Sequence, residues 1–290
     1  MVLTSEAIVL VEGKTKRIID LGGGQVLVWA KDDITAGDGA KHDIIAGKAV
    51  LSTATTSNVF RLLKGVGIPV AFDVRENKTG FIAPKCRMVP FEVVIRREAH
   101  GSYLKRHPGV TKGNVFPDLE LEFFLKTSGR QWEEHELPKD DPLAIPEGDA
   151  LLLFHPDIPF SNQEPFLTLE RRPILAAFVP ATFSGMGRIA KQTFLVLEEA
   201  WKSAGCKLVD FKVEFGVSGG MLLLADVIDN DSWRVVEGDV YIDKQAYRDG
   251  TDLNEVTAKY RRVLEFTNQF LRFGEQNANF LRSLIASVEL

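Results

Sequence analysis

The sequence predicts a fold of mixed helix and strand, and three observations carry that reading. β-Branched runs crowd the first hundred residues and return at about 207–228. Two stretches, 44–64 and 187–204, repeat apolar residues at helical spacing. Glycine-containing turns join several of the strand runs, which is how antiparallel pairs are connected. The chain has 290 residues, of which 45% are hydrophobic and 26% charged. That is ordinary for a globular protein and long enough for two compact lobes or one large domain.

Residues 7–11, 16–20 and 25–30 are expected as short strands. The last two flank a Leu-Gly-Gly-Gly turn, which explains Gly22, Gly23 and Gly24 without a phosphate loop, since no helix follows. A helix is expected over 44–64, with Ala49, Thr53, Thr56, Phe60 and Leu63 on one face and Gly65 and Gly67 closing it. Strands return at 70–74, 79–82 and 88–96. The stretch 113–180 carries Pro117, Pro138, Pro142, Pro146, Pro156, Pro159, Pro165, Pro173 and Pro180 and is expected to be irregular. Its later part, 141–180, reads as a long surface insertion with short helical pieces. Ile189, Thr193, Val196, Leu197, Ala200 and Trp201 line one face of the helix over 187–204, and Gly205 ends it. Strands at 207–215 and 221–228 follow, joined by Val-Ser-Gly-Gly. Residues 252–288 are mostly helical, with Val256, Tyr260, Val263, Leu264, Phe270 and Leu271 as a core-facing stripe. Gly274 is expected to divide them into two helices.

The formal net charge of −5 speaks against non-specific nucleic-acid binding, which needs a basic surface. It leaves room for a local basic patch around an anionic small molecule. Cys86 and Cys206 are too few and too far apart for a disulfide framework or a zinc site, and read as free thiols in a reducing compartment. The N-terminus carries Glu6 and Glu12 and no basic leader, so it does not resemble a secretory signal. No apolar run approaches the ~18 residues of a membrane helix. A cytoplasmic protein without nucleic-acid or membrane partners is expected.

Four constellations carry chemistry. The first is Glu-Gly-Lys-Thr-Lys-Arg at 12–17. It is not a Walker A loop, because that motif needs a glycine where Ile8 stands and opens a helix. A glycine with alternating lysines on a hairpin instead suits covering a nucleotide, with Lys14 and Lys16 reaching its phosphates; a solvated charged strand is the plain alternative. The second is 31–43, whose small residues let backbone amides approach a ligand, with Asp38 and Lys41 beside them. His42 breaks the G-x-G-x-x-G spacing, and a turn before the helix is the alternative. The third is 88–109. Glu92, Val94 and Arg96 share one strand face, Gly101-Ser102 offers an amide and a hydroxyl, and Lys105 and Arg106 add cations. This suits a phosphate or carboxylate ligand, against a strand edge with surface charge. Ser102 lacks the G-x-S-x-G elbow of a hydrolase nucleophile, and His100 and His107 have no recognisable partners. The fourth joins 208–216 and 224–234. Asp210, Lys212 and Glu214 project from one strand face, and Asp226 sits on the returning strand. Glu214 and Asp226 are placed to converge on one Mg2+, with Lys212 holding an anionic substrate. ATP, Mg2+ and an anionic substrate together describe phosphoryl transfer or ATP-driven ligation.

Five motifs occur in order: G-K-T-K at 13–16, T-A-G-D-G-A-K at 35–41, P-x-E-x-V-x-R-x4-G-S at 90–102, D-x-K-x-E-F-G at 210–216 and A-D-V-I-D-N-D-S-W-R at 225–234. By these the chain resembles the SAICAR synthetase family, the phosphoribosylaminoimidazole-succinocarboxamide synthases, and most of all the synthetase portion of the animal bifunctional enzyme. The resemblance covers most of 8–142 and 185–250. It implies an α+β, two-lobed fold with a nucleotide cleft similar to ATP-grasp enzymes and kinases. Residues 1–87 would form a mostly antiparallel β lobe over the nucleotide. Residues 88–290 would form an α+β lobe with an insertion at about 143–178 that has no recognised counterpart.

The resemblance also implies a reaction in de novo purine biosynthesis. ATP, the 4-carboxylate of 5-aminoimidazole ribonucleotide (CAIR) and L-aspartate give SAICAR, ADP and phosphate, through an acyl phosphate. Gly13, Lys14, Lys16 and Met88 would bind ATP, and Glu214 and Asp226 the Mg2+. Lys41, Arg96, Gly101, Ser102, Lys105, Arg106, Lys212 and Arg234 would hold substrate, with Lys212, Asp210 and Asp38 at the reacting centre. Val227 stands where many relatives have glutamate. A monofunctional enzyme is expected, and a homodimer is compatible with the sequence. The alternatives are another ATP-dependent carboxylate–amine ligase, a small-molecule kinase, or a nucleotide-binding regulator without catalysis.

Overall fold

The computed structural model describes residues 8–36, 40–127, 131–132, 135–137 and 140–288. The chain opens with β1 (Val9–Glu12), β2 (Lys16–Gly22) and β3 (Gln25–Ala30). The turn between β2 and β3 runs through Gly22, Gly23 and Gly24 at φ 74°, 59° and 80°, a path closed to most side chains. Ala7, expected in the first strand, lies outside the described residues. A small hairpin follows, β4 (Asp33–Ala36) and β5 (Lys41–Ile44), and then α1 (Lys48–Val66). The helix starts later than the expected residue 44 because Ile44 still belongs to β5 and Gly47, at φ 84°, makes the corner. The Asp32 carboxylate accepts the N–H groups of Gly47 and Ala49 there.

Next come β6 (Val74–Arg75), β7 (Gly80–Pro84) and β8 (Arg87–Glu98), followed by the short α2 (Ser102–Arg106) and β9 (Val115–Leu125). Of the strand expected at 70–74 only the end is formed. Val70 makes one parallel bridge to Leu224, whose N–H and carbonyl are held by Pro69 and Ala71. The stretch expected to be irregular contains β9, β10 (Gln131–Trp132), β11 (His135–Glu136), β12 (Leu143–Glu147), β13 (Ala150–Phe154), β14 (Leu167–Glu170) and α3 (Arg171–Ala176). Proline density misleads here because Pro142 and Pro146 sit where a ladder can spare a donor. Pro142 precedes β12, and Pro146 lies beyond the two residues of β12 that pair with β9. Leu151, Leu153 and Ile174 of this stretch are buried in the main core, so it is not a surface decoration.

The remainder is α4 (Phe183–Ser203), β15 (Cys206–Ser218), β16 (Met221–Ala225), β17 (Trp233–Glu237), β18 (Val240–Tyr241), α5 (Gln245–Arg248), α6 (Leu253–Thr267), α7 (Phe270–Gln276) and α8 (Ala278–Ala286). The C-terminal helical stretch breaks at 268–269 and at Asn277, not at Gly274, which lies inside α7. A β-carbon on Gly274 would come within 2.5 Å of Leu62 Cδ1, so the glycine is there to let α7 approach α1.

The strands form two main sheets. A five-stranded sheet has the order β1-β2-β3-β7-β6. A nine-stranded sheet runs β14-β13-β12-β9-β8-β15-β17-β18, with β16 also paired to β15. One edge of β15 pairs with β8. The other edge is divided: β17 takes 206–211 and β16 takes 214–218. At the parting the Lys212 N–H donates to the Ser232 carbonyl at 2.7 Å. α4 packs on β15 and β8, while α1 packs on α6, α7 and α8. Phe91, Phe194, Trp201, Phe211 and Phe270 are fully buried in one continuous apolar cluster that includes Val26 and Val28 of β3. Among the described residues no helix is long and apolar enough to cross a membrane.

Candidate active site

β15 is the spine of the site. Alternation along it sends Phe211, Val213 and Phe215 into the core and leaves Asp210, Lys212 and Glu214 on the other face. Gly216 closes the motif because Cys86 and Met88 of the β8 side approach it: a β-carbon there would be 2.6 Å from Cys86 Cβ and 3.2 Å from Met88 Sδ.

At the Glu214 end, β16 brings Asp226 next to Ala225, which pairs directly with Glu214. Asp226 is non-glycine yet has φ 69°, a conformation that aspartate tolerates better than most residues and that marks the end of β16. Each carboxylate is matched to a lysine from elsewhere in the chain, Lys16 on β2 and Lys126 just past the end of β9. Lys126 Nζ donates to Glu214 Oε1 at 2.5 Å, and Lys16 of β2 donates to Asp226 Oδ1. The turn at Gly13, whose N–H donates to the Lys16 carbonyl at 2.8 Å, thus reaches across from the five-stranded sheet. Burial lowers the Lys16 pKa to about 8, against the raising effect of Glu214 and Asp229. Burial works against the Glu214 charge too, but Lys126 and Lys16 outweigh it and hold the carboxyl below its ordinary range.

At the Asp210 end lies an arginine pocket. Asp210 Oδ2 accepts from Arg96 Nη1 at 2.8 Å and from Arg234 Nη1 at 2.6 Å. Arg96 also donates to Glu122 at 2.7 Å, to the His100 carbonyl at 3.3 Å and to Ser102 Oγ at 3.4 Å. The register explains the gathering, since Arg96 and Arg234 are the β8 and β17 partners of Asp210. Burial opposes the Arg96 charge, but Glu122 and Asp210 raise its pKa overall. Two fixed guanidiniums beside a hydroxyl and a glycine backbone have the chemistry to receive a phosphate or carboxylate.

Lys212 stands between the two ends. Its Nζ donates to Glu92 Oε1 at 2.7 Å, and its side chain is 45% exposed. Burial of its surroundings works against the charge, but Glu92 and Glu214 keep its pKa above the ordinary lysine value. It is therefore a cation at neutral pH, not a base.

The other expected residues fall out as follows. Lys14 is exposed on the turn beside Gly13, and Met88 is 40% exposed at the start of β8. Lys41 is engaged by α5, donating to the Tyr247 carbonyl at 2.9 Å and lying 4.0 Å from the Tyr247 ring centre. Lys105 pairs with Asp157 at 2.8 Å. Arg106 is buried, with the Pro156 carbonyl and Glu122 as partners, so Lys105 is paired away from the Arg96 cluster while Arg106 is joined to it through Glu122. Asp38 lies outside the described residues. The two histidines expected to lack partners have them. His100 meets Tyr241 Oη at 2.7 Å and Glu98 at 3.2 Å, and His107 stacks on Tyr103 at 4.3 Å.

Three contributors escaped the sequence reading. Lys126 follows the apolar end of β9, in the proline-rich stretch. Glu122 is the buried partner shared by Arg96 and Arg106. Arg248 of α5 is close enough for its charge to oppose that of Lys212, but it belongs to no motif.

A family model described as SAICAR synthetase matches residues 9–138 and 162–266. The chain is 38% identical over 281 residues to the probable multifunctional protein ADE2 of Caenorhabditis elegans, covering 92% of this chain and 60% of that one. It is 39% identical over 259 residues to a Homo sapiens bifunctional phosphoribosylaminoimidazole carboxylase/phosphoribosylaminoimidazole succinocarboxamide synthetase, covering 86% and 53%. The chain therefore spans little more than half the length of these multifunctional relatives. A Chloroflexus aurantiacus phosphoribosylaminoimidazole-succinocarboxamide synthase is 37% identical over 275 residues, which are 90% of this chain and 96% of that one. Among solved structures, the Ehrlichia chaffeensis phosphoribosylaminoimidazole-succinocarboxamide synthase superposes with TM-score 0.71 at 28% identity, covering 90% of this chain and 98% of its own. A SAICAR synthetase in complex with ADP does so with TM-score 0.71 at 25% identity, covering 89% and 96%. With the family model matched over most of its length and the arginine pocket and lysine-paired carboxylates set along one strand, this chain belongs to the SAICAR synthetase family.

Proposed function

We propose that the chain joins L-aspartate to the carboxylate of CAIR, driven by ATP, to give SAICAR, ADP and phosphate. The observation that carries this reading is β15, which presents an anion pocket at Asp210, an ammonium at Lys212 and a carboxylate at Glu214 in succession. The solved relative holding ADP and the synthases of similar sequence support it. Residues 1–87 cover the nucleotide, with Met88 beside the adenine and Lys14 and Lys16 at the phosphates. Arg96, Arg234, Gly101 and Ser102 take the ribonucleotide phosphate.

Glu214 and Asp226 fit a Mg2+ ion: both are hard oxygen donors, and both already hold a cation in the form of a lysine ammonium. Mg2+ bound there would neutralise charge on the ATP phosphates. A carboxylate is a poor electrophile, so an oxygen of the CAIR carboxylate first attacks the γ-phosphorus. The bond to the bridging oxygen breaks, and ADP leaves. The neutral aspartate amine then attacks the acyl carbon, and phosphate departs with the oxygen it gained and takes up the proton the amine nitrogen loses. Lys212, protonated between the two anion sites, balances the negative charge that collects there.

The test is phosphate release from Mg-ATP and CAIR with and without L-aspartate, while SAICAR is followed by absorbance. Aspartate-dependent release matching SAICAR formation is expected. Phosphate retained on the substrate would mark a small-molecule kinase, and ATP binding without turnover a regulatory protein.

A further inference from the structure

The family model matches on both sides of residues 139–161 but not across them. That unmatched segment is nevertheless tied to the arginine pocket. After β13 the chain turns back over α2 through Pro156, Asp157 and Phe160. The Pro156 carbonyl accepts from Arg106 Nη1 at 2.8 Å. Asp157 pairs with Lys105 at 2.8 Å. The Phe160 ring lies edge-on to His107 at 5.3 Å and to Phe154 at 5.4 Å. Three successive residues at the end of α2 are thus gripped by one short piece of chain.

α2 needs such a grip. It is five residues long, and no side chain caps its N-terminus at Gly101. So short a helix has no stability of its own, and tertiary contacts must set its direction. The grip also reaches beyond α2. Arg106 is 1% exposed, and its Nη2 is ion-paired with Glu122, whose other oxygen accepts from Arg96 Nε at 2.7 Å. One buried carboxylate is therefore shared by an arginine facing the unmatched segment and an arginine facing the pocket. We propose that Pro156, Asp157 and Phe160 form a strap that positions Ser102 and Arg96 for a sugar-phosphate ligand. The inference rests on reading the arginine pocket as the phosphate end of the substrate site.

The test uses Asp157→Ala and the double variant Asp157→Ala/Phe160→Ala, neither of which alters the pocket itself. Ribose 5-phosphate affinity is measured by calorimetry, and KM is measured separately for CAIR and ATP. The double variant is expected to bind ribose 5-phosphate roughly ten-fold more weakly, with a matching rise in KM for CAIR and no change in KM for ATP. The single variant should move the same way, by less. Unchanged ribose 5-phosphate affinity in both would overturn the proposal. So would an equal rise in both KM values with a lower unfolding midpoint, which is general loosening. If the whole chain binds ribose 5-phosphate and the variants lose it, but no ligation occurs, the strap stands and the proposed reaction fails. If the unaltered chain does not bind ribose 5-phosphate, the pocket is not a phosphate site and the strap falls with it.

Discussion

The guanidinium of Arg234 fills the space that a β-carbon on Gly101 would need: Nη2 lies 2.5 Å and Cζ 3.1 Å from that point. Gly101 also has φ 57°, which few side chains accept. Gly101→Ala should therefore push Arg234 from Asp210 and strain the entry to α2. The expected result is a rise of at least about ten-fold in KM for the ribonucleotide substrate, with KM for ATP unchanged. Steady-state kinetics with each substrate varied in turn would check it.

Lys212→Met should fold and keep ATP binding but lose turnover by about two orders of magnitude or more, because the methionine keeps the stem and removes the charge between the anion sites. Circular dichroism and nucleotide titration set the folding baseline, and turnover close to that of the parent would refute the role.

With Lys16 at the phosphates as proposed, nucleotide binding should depend on pH. With its pKa lowered to about 8, the side chain is mostly an ammonium below that pH and neutral above it. Phosphate oxygens favour the ammonium, so ATP affinity should be highest below pH 8 and fall above it, by up to about ten-fold per pH unit. Bound phosphate stabilises the ammonium, so the break should sit at or somewhat above 8. Lys16→Arg should remove the break, and Kd measured from pH 7 to 10 for both proteins would show it.

Asp243 gives folding a pH dependence of opposite origin. It is fully buried and accepts from the Val235 and Gln245 N–H groups at 2.7 and 2.6 Å, yet burial raises its pKa to about 7. The folded state thus binds this proton more tightly than the unfolded chain, where the value is near 4. Its contribution is fully present below about pH 4 and is lost as pH rises to 7. Asp243→Asn removes the titration but offers one acceptor to two N–H groups that the carboxylate takes on separate oxygens. Its stability should therefore stay level between pH 4 and 8, where the parent's falls by up to roughly 4 kcal/mol, measured by urea unfolding at each pH.

Gly274→Ala sets two effects against each other. A helix-interior alanine gains up to about 1 kcal/mol over glycine. Its β-carbon, however, would meet Leu62 Cδ1 at 2.5 Å, and Leu62 is 1% exposed in the core. Overpacking of that kind costs typically about 1–3 kcal/mol, so net destabilisation is expected. Pairing it with Leu62→Val should recover part of the loss, which a double-mutant cycle in denaturant would measure.

Much of the site was legible because it lies on one strand. The alternation of Asp210, Lys212 and Glu214 needs only the pleat, and the return to Asp226 needs only a hairpin. Arg96 and Arg234 could be assigned to the same pocket by motif, but not their shared bond to Asp210, which depends on β8 and β17 flanking β15 in register. Lys126 and Glu122 were hidden for a different reason: Glu122 sits on β9 and Lys126 directly after it, and the prolines around it obscured a strand of eleven residues. Gly274 shows the limit of reading glycine as a helix breaker, since a close crossing of two helices asks for the same residue. The later start of α1 follows from Asp32, whose capping role comes from a residue fifteen positions before Gly47.

β15 is also a ruler. Residues 210 and 214 are separated by four strand rises, about 13 Å between α-carbons, and a strand paired along most of both edges cannot stretch. The arginine pocket and the paired carboxylates are therefore held at a set span. A molecule that is to touch both ends must be about as long as a phosphorylated sugar bearing a heterocycle. A bare dicarboxylate reaches one end or the other. Selection by length follows from the sheet alone, before any hydrogen bond has been compared.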